Sequence, residues 1–333
     1  MKDIFGKYQQ EFEAELKLFL EKETAQRDGM SKGSMQSLFE PVKYIMANGG
    51  KRIRPLLLML SCETFGGNPK DAVNAAIAIE ILHNFTLVHD DIMDNANTRR
   101  GKETIHKKWD INCAILVGDE LIGLSYRSLL KSKTTRISEI IRTFTDGVIE
   151  VCEGQALDKE FEIKDNVSIS DYYLMIRKKT AELLKTAATM GAIIGGADKN
   201  NIDAIREYAE NIGFAFQIHD DLLDVIANET KFGKKIGGDI IEKKKTFLYL
   251  KALEVLDDEQ KSELIKLFNS EIAPAEKIEK VVKVYTDNCI LESAKKEIKK
   301  FTEKANTLID KMNIKSSRES LSGFSDMLLN RNY

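Results

Sequence analysis

The sequence predicts an all-α protein, a single-domain helical bundle, and three observations carry that prediction. Apolar residues recur at helical spacing along the chain, and no alternating run is long enough to make a strand. Only 4 prolines occur in 333 residues, and Pro41, Pro55, Pro69 and Pro274 each fall where a helical pattern begins or breaks. The hydrophobic share of 43% is ordinary for a soluble globular protein, and the length allows a large core. No linker, low-complexity tract or solenoid repeat interrupts the pattern, so 1–333 reads as one domain rather than two.

Composition excludes several classes. The 50 basic and 53 acidic residues leave a net charge of −3, which gives no general case for nucleic acid as partner. Cys62, Cys113, Cys152 and Cys289 lack C-x-x-C spacing and read as reduced thiols, not as a disulfide or zinc framework. The first residues are charged and amphipathic, unlike a signal peptide. The longest uncharged run, Thr186 to Ala197, has 12 residues, too few to span a bilayer. A cytoplasmic protein without stable membrane insertion is expected.

In chain order, a first helix spans about Ile4 to Thr24, with Phe5, Tyr8, Phe12, Leu16 and Phe19 on one stripe. After Asp28-Gly29 a second runs from about Ser34 to Ala47 and stops at Asn48-Gly49-Gly50. Lys51-Arg52-Ile53-Arg54-Pro55 then opens an apolar helix. Three cations beside glycines at a helix start suit an anion, and a solvated basic turn reads equally well. A helix from about Pro69 to Met93 ends in acids. Asn95 to Thr98 reads as a loop, followed by Arg99-Arg100-Gly101. The helix from about Lys108 to Lys131 reads as scaffold. The next, about Ile137 to Lys159, carries Glu153-Gly154-Gln155 and Asp158, which could line a cavity but are read here as a plain polar face. Ser170-Asp171 opens a helix interrupted by Lys178-Lys179-Thr180, for which a surface charge pair is the plain reading. A long helix from about Ile202 to Ile226 ends in acids again. Asn228 to Asp239, with three glycines and three lysines, suits a phosphate lid better than a flexible connector, and Lys243-Lys244-Lys245-Thr246 adds charge. Beyond Leu250 the helices carry interspersed charges and no evident chemistry, Arg331 apart.

The two acidic ends organise the chain. Asp90 and Asp94 lie four apart, so on a helix their carboxylates sit one above the other and repel, opposed also by the macrodipole at a C-terminus. A cation is the missing partner, and Mg²⁺ takes one or two carboxylates plus substrate phosphates. His89-Asp90-Asp91-Ile92-Met93-Asp94 recurs as His219-Asp220-Asp221-Leu222-Leu223-Asp224. One such pattern is common on solvated helix faces; two, each closing an apolar helix, point to a site. His83 lies on the Asp90 stripe two turns below, although a lone histidine there is usually a satisfied core residue. Acids for divalent ions, with separate groups of Lys and Arg around them, suit a diphosphate. The two groups Lys51/Arg54 and Lys234/Lys244 suggest two diphosphates, and apolar helices beneath suggest hydrocarbon tails. Metal clamping would promote ionisation to an allylic cation, which must be shielded from water.

Taken together, Gly49-Gly50-Lys51-x-x-Arg54-Pro55, Asp90-Asp91-x-x-Asp94 with Arg99-Arg100-Gly101, Lys179-Thr180, Phe216-Gln217-x-x-Asp220-Asp221-x-x-Asp224, Lys234 and Lys244 resemble the trans-prenyltransferases of the polyprenyl synthetase family. The resemblance implies a helical bundle with a central cavity, usually a homodimer. It implies that Asp90, Asp94 and Asp220 ligate three Mg²⁺ ions, supported by Asp91, Asp221 and Asp224. Arg99, Lys179, Lys234 and Lys244 would contact an allylic diphosphate (dimethylallyl, geranyl or farnesyl), and Lys51, Arg54, His83 and Arg100 isopentenyl diphosphate. The Lys179 carbonyl, Thr180 and Gln217 would face the carbocation.

Product length follows from what lies below Asp90. Phe85 stands five residues earlier, roughly 7.5 Å along the helix axis. An aromatic there marks short-chain members of the family, and the small Thr86 beside it favours geranylgeranyl diphosphate (C20) over farnesyl diphosphate (C15). Rivals fit less well. A class I terpene cyclase normally has Asn and Ser or Thr in its second motif and no second diphosphate site. An HD-type phosphohydrolase leaves Gln217 and the lysine-rich loop unexplained. A non-catalytic synthase subunit typically loses one acid motif.

Overall fold

Helical periodicity becomes helix almost throughout the computed structural model, which describes residues 2–28, 36–226, 237–314 and 318–329. The order is α1 (Lys2–Asp28), α2 (Gln36–Met46), α3 (Ile53–Thr64), α4 (Val73–Met93), α5 (Ile105–Lys108), α6 (Ile111–Leu129), α7 (Ile137–Ile163), α8 (Ile169–Ile176), α9 (Glu182–Ile194) and α10 (Lys199–Ile226). Then follow α11 (Gly238–Ile241), α12 (Phe247–Val255), α13 (Asp258–Asn269), α14 (Pro274–Asp287), α15 (Ile290–Lys311) and α16 (Arg318–Leu329). The protein is all-α, as expected.

Local chemistry explains the departures from the expected boundaries. Pro69 opens a 3₁₀ turn, Pro69–Ala72, before α4 begins. The expected Lys108 to Lys131 helix is Ile111–Leu129, starting later because Asp110 is extended and its carboxylate accepts from Cys113 N, and a short helix, Ile105–Lys108, precedes it. Ser168, not Ser170, begins α8. Its hydroxyl accepts from Asp171 N while the Asp171 carboxylate accepts from Ser168 N, a capping box whose loss costs about 1 kcal/mol. Thr98–Arg99 pairs antiparallel with Lys102–Glu103 across Arg100 (φ 53°) and Gly101 (φ 75°), the left-handed pair that a type I′ hairpin needs. Strands of two residues leave no alternation to read, so the hairpin was absent from the expectation.

The described residues form two compact units. One comprises Met1–Val148, Thr186–Arg206 and Met312–Phe324. Within it α4 packs on α3 and α6. Leu56 to Leu60 of α3 and Ile77, Ile79, Ile81 and Leu82 of α4 are all buried. Each fully buried Leu or Ile stabilises by roughly 2 kcal/mol relative to exposure. By length and composition Pro69–Met93 passes as a bilayer span, but 72% of its apolar window is buried inside the protein. It is a core helix, hydrophobic nearly all round because it is covered nearly all round.

The other unit comprises Ile149–Lys185, Glu207–Lys311 and Ser325–Tyr333. Its core joins Tyr172, Phe247, Tyr285 and Phe301 with Ile218 and Leu222 of α10. Phe214 and Phe301 lie with ring centroids 4.9 Å apart, and Tyr249 stacks on Phe268 at 4.1 Å. These contacts fix the direction in which α10 presents its acidic end.

Candidate active site

In the first unit the acids sit where α4 runs out. Asp90 is half-buried, Asp94 is the exposed C-cap, and Asp91 is 2% exposed. Burial raises the Asp91 carboxyl pKa, against the pull of Arg99, whose Nε donates to Asp91 Oδ1 at 2.7 Å. Arg99 is thus engaged with the motif itself.

The glycine loop lies against the hairpin. Gly49 (φ 63°) and Gly50 (φ 150°) occupy backbone that favours glycine, and Arg100 donates to the Gly49 carbonyl. A Cβ on Gly50 would stand 2.9 Å from Arg100 Nη1, so a side chain would push the guanidinium away. His83 lies in the field of Arg54, Arg100, Arg99 and Arg52, and burial first, then these cations, hold its imidazole pKa well below the usual value. Arg54, His83 and Arg100 lie together, with Arg99 also in the field of His83, and Lys51 is exposed.

Arg52 corrects the picture of three cations at the mouth of α3. It turns inward, 4% exposed, and pairs with Glu80 and Glu13, each at 2.7 Å. Its own φ of 49° aims it that way.

In the second unit α10 carries Gln217, Asp220, Asp221 and Asp224 past a π-helical turn, Arg177–Ala181. Such turns often mark functional sites. Lys179 Nζ reaches Asp158 Oδ2 at 2.5 Å, and Thr180 Oγ1 donates to Gln217 Oε1 at 2.8 Å. Asp221 is buried and accepts from Tyr172, Gln217 and Phe247 N. Burial raises its carboxyl pKa despite these donors. Asp224 accepts from Gly237 N through its carbonyl and from Asp239 N through Oδ2. Asp239, missed by the sequence reading, has its pKa pushed up by burial and then by Asp224 and Asp221. Lys244 pairs with Glu242 at 2.8 Å and lies 3.9 Å from Asp239. Lys234 and Arg331 lie outside the described residues.

A cavity of about 140 Å³ gathers these groups, lined among others by Asp158, Tyr172, Lys179, Thr180, Gln217 and Lys244. The plain polar face holds for the exposed Glu153 but not for Gly154, Gln155 and Asp158, where the cavity-lining alternative fits better. Gln155 is 8% exposed, and Asp158 faces the cavity. Gly154 lies against the π turn, where a Cβ would collide with Lys179 N and stand 2.7 Å from the Lys178 carbonyl carbon. A helical glycine costs about 1 kcal/mol relative to Ala, which was the available signal. Gly154→Ala is expected to displace the turn, lowering kcat at least about tenfold and stability by about 1–3 kcal/mol; steady-state kinetics and urea unfolding measure both.

Asp90, Asp94, Asp220 and Asp224 are the acids that reach the surface at least in part, whereas Asp91 and Asp221 are turned into the protein. Among the described residues no three Asp, Glu, His or Cys side chains converge. Hard carboxylate oxygens in pairs nonetheless suit Mg²⁺, which completes its shell with water and substrate phosphate.

The family profile described as polyprenyl synthetase matches residues 35–285. The chain is 40% identical over 245 residues to the short chain isoprenyl diphosphate synthase of Methanothermobacter thermautotrophicus, covering 73% of this chain and 75% of that one. It is 38% identical over 298 residues to the geranylgeranyl diphosphate synthase of Sulfolobus acidocaldarius, covering 87% and 88%. The crystal structure of geranylgeranyl pyrophosphate synthetase from Pyrococcus horikoshii matches with TM-score 0.88 and 33% identity, over 99% of each chain. With its acidic helix ends, arginine cluster and π turn already in view, this chain belongs to the polyprenyl synthetase family and is a prenyltransferase.

Proposed function

We propose that the protein condenses isopentenyl diphosphate with an allylic diphosphate, head to tail, and that its main product is geranylgeranyl diphosphate (C20). The observation that carries this reading is His83 set beside Arg54 and Arg100, with Arg100 braced on the Gly49 carbonyl and burial and these cations lowering the imidazole pKa. A cationic cluster of this kind suits a diphosphate, and with Lys179 of the π turn reserved for another it supports a second one, which a terpene cyclase does not need.

Arg54, His83, Arg100 and Lys51 bind the isopentenyl diphosphate. Lys179, Lys244, Arg99 and Lys234 bind the allylic one. Asp90, Asp94 and Asp220 would hold Mg²⁺, three ions per site, with Asp224 in support. The family is Mg²⁺-dependent, and the metal when bound stabilises charge on the leaving oxygens. Thr180 Oγ1, Gln217 Oε1 and the Lys179 carbonyl turn oxygen dipoles toward the allylic carbon as its C–O bond ionises and pyrophosphate departs with the electron pair. The isopentenyl double bond then attacks that carbon, and the proton lost in restoring a double bond passes to pyrophosphate. Apolar walls keep water from the cation.

Phe85 supports the C20 assignment. It is 7% exposed and packs edge-on against His89, ring centroids 4.7 Å apart, below Asp90. Thr86 turns its hydroxyl to the His83 carbonyl at 2.8 Å and adds little bulk. The names of the Sulfolobus and Pyrococcus relatives support the same product. Phe85→Ala leaves a cavity, and the product is expected to lengthen by about one or two five-carbon units; an unchanged product on chromatographic sizing removes Phe85 as the ruler. We also infer a cytoplasmic homodimer, from the family resemblance and the charge balance.

The test is incubation with isopentenyl diphosphate, Mg²⁺ and a C5, C10 or C15 starter. C20 is expected. Arrest at C15 would replace it with farnesyl diphosphate, and chains of C30 or longer would overturn the short-chain reading.

A further inference from the structure

Gln217 stands one helical turn before Asp221, and its side-chain amide is held at both ends. Its Nε2 donates to Asp221 Oδ1 at 2.9 Å, while its Oε1 accepts from Thr180 Oγ1 at 2.8 Å. An ionised carboxylate only accepts, so the amide nitrogen belongs on the Asp221 side and the oxygen on the Thr180 side. Asp221 is pinned in turn. Its Oδ2 accepts from the Tyr172 hydroxyl at 2.7 Å and from Phe247 N at 3.0 Å. Tyr172 is 1% exposed and Asp221 4%. Three protein donors therefore occupy this carboxylate, in a place that water barely reaches.

We propose that Tyr172, acting through Asp221, is a positioning residue that keeps the carbonyl oxygen of Gln217 turned to Thr180 and the cavity, and that Asp221 serves this orientation rather than metal binding. The inference rests on the prenyltransferase reading above, because the orientation matters only if positive charge develops at the cavity wall. There, Gln217 Oε1 stabilises a cation, whereas a reversed amide presents N–H donors and opposes it. Tyr172, Thr180, Gln217 and Asp221 all line the same cavity, so the effect is direct at Gln217 and relayed at Tyr172. The helix repeat Asp220-Asp221 thus divides into one residue for the ion and one for the amide.

Tyr172→Phe keeps the ring and removes the donor. It is expected to lower kcat about tenfold, with KM for both diphosphates unchanged within about twofold. Asp221→Asn, whose own amide nitrogen can face Gln217 and turn it round, is expected to lower kcat about a hundredfold without moving half-saturation by Mg²⁺ more than about twofold. In the Gln217→Leu background the Tyr172→Phe effect should vanish, because both act through one group. The Gln217 side-chain amide protons, assigned by their loss in Gln217→Leu, read the orientation without turnover. They should exchange slowly in the wild-type enzyme and at least about tenfold faster in Tyr172→Phe. A Mg²⁺ requirement raised more than about tenfold in Asp221→Asn would make Asp221 a ligand and overturn the proposal. So would a full Tyr172→Phe effect in the Gln217→Leu background, or a rapidly exchanging amide in active wild-type enzyme. Wild-type protein that incorporates no isopentenyl unit would overturn the functional reading instead, which the amide exchange distinguishes.

Discussion

Asp90→Ala should lower kcat by about 10²–10³-fold, the scale for losing one group that stabilises charge in the transition state. Stability should hold or rise slightly. Asp90 is half-buried, four residues before Asp94 at the C-terminal end of α4, where like charge and macrodipole both disfavour it. Removing it relieves about 0.3–1 kcal/mol of unfavourable interaction. Activity with isopentenyl diphosphate and thermal unfolding, measured on one preparation, separate the two effects. Full activity would defeat the ligand assignment. Asp91→Ala is the contrast. Asp91 is paired with Arg99 and 2% exposed, so its loss should disturb the Thr98–Arg99 hairpin and cost stability before it costs chemistry.

Glu80→Ala should produce the larger loss of stability, about 3 kcal/mol, because it leaves a buried guanidinium with only the half-exposed Glu13 to balance its charge. The side chains of Arg52 and Glu80 are 2% and 3% exposed and meet at 2.7 Å, whereas the second partner, Glu13, is 41% exposed and cannot replace Glu80 in the interior. Urea unfolding should show a lower midpoint at an unchanged slope. The consequence reaches the site. Arg52 is itself the left-handed residue between Lys51 and Arg54, so loosening its anchor should raise KM for isopentenyl diphosphate while kcat changes little. A stability change below about 0.5 kcal/mol would assign the anchoring of Arg52 to Glu13 alone.

Much of this protein was legible before its structure. The C-terminal ends of α4 and α10 were read correctly because apolar period and acidic termination are properties of a single helix. The hairpin at Thr98–Glu103 was not, because two-residue strands have no period. The functional weight of Gly154 and Asp158 was also missed, since α7 looks like any polar-faced helix until the π turn is laid against it. Arg52 misled for a related reason. A run of cations says nothing about which one turns inward, and that depends on Glu80, 28 residues later.

The sequence by itself determined the class of fold, the family, and the two acidic helix ends, all of which rest on residues near one another along the chain. Only the tertiary structure decided which of the acids turn into the protein. Asp90 and Asp91 are neighbours of identical chemistry, as are Asp220 and Asp221. What separates them is where each points: Asp91 meets Arg99, and Asp221 meets Tyr172, 49 residues away, and Phe247, 26 away. A carboxylate filled with protein donors is held in place by them, and its neighbour along the helix stays more exposed. That distinction belongs to packing across helices, and no local pattern encodes it.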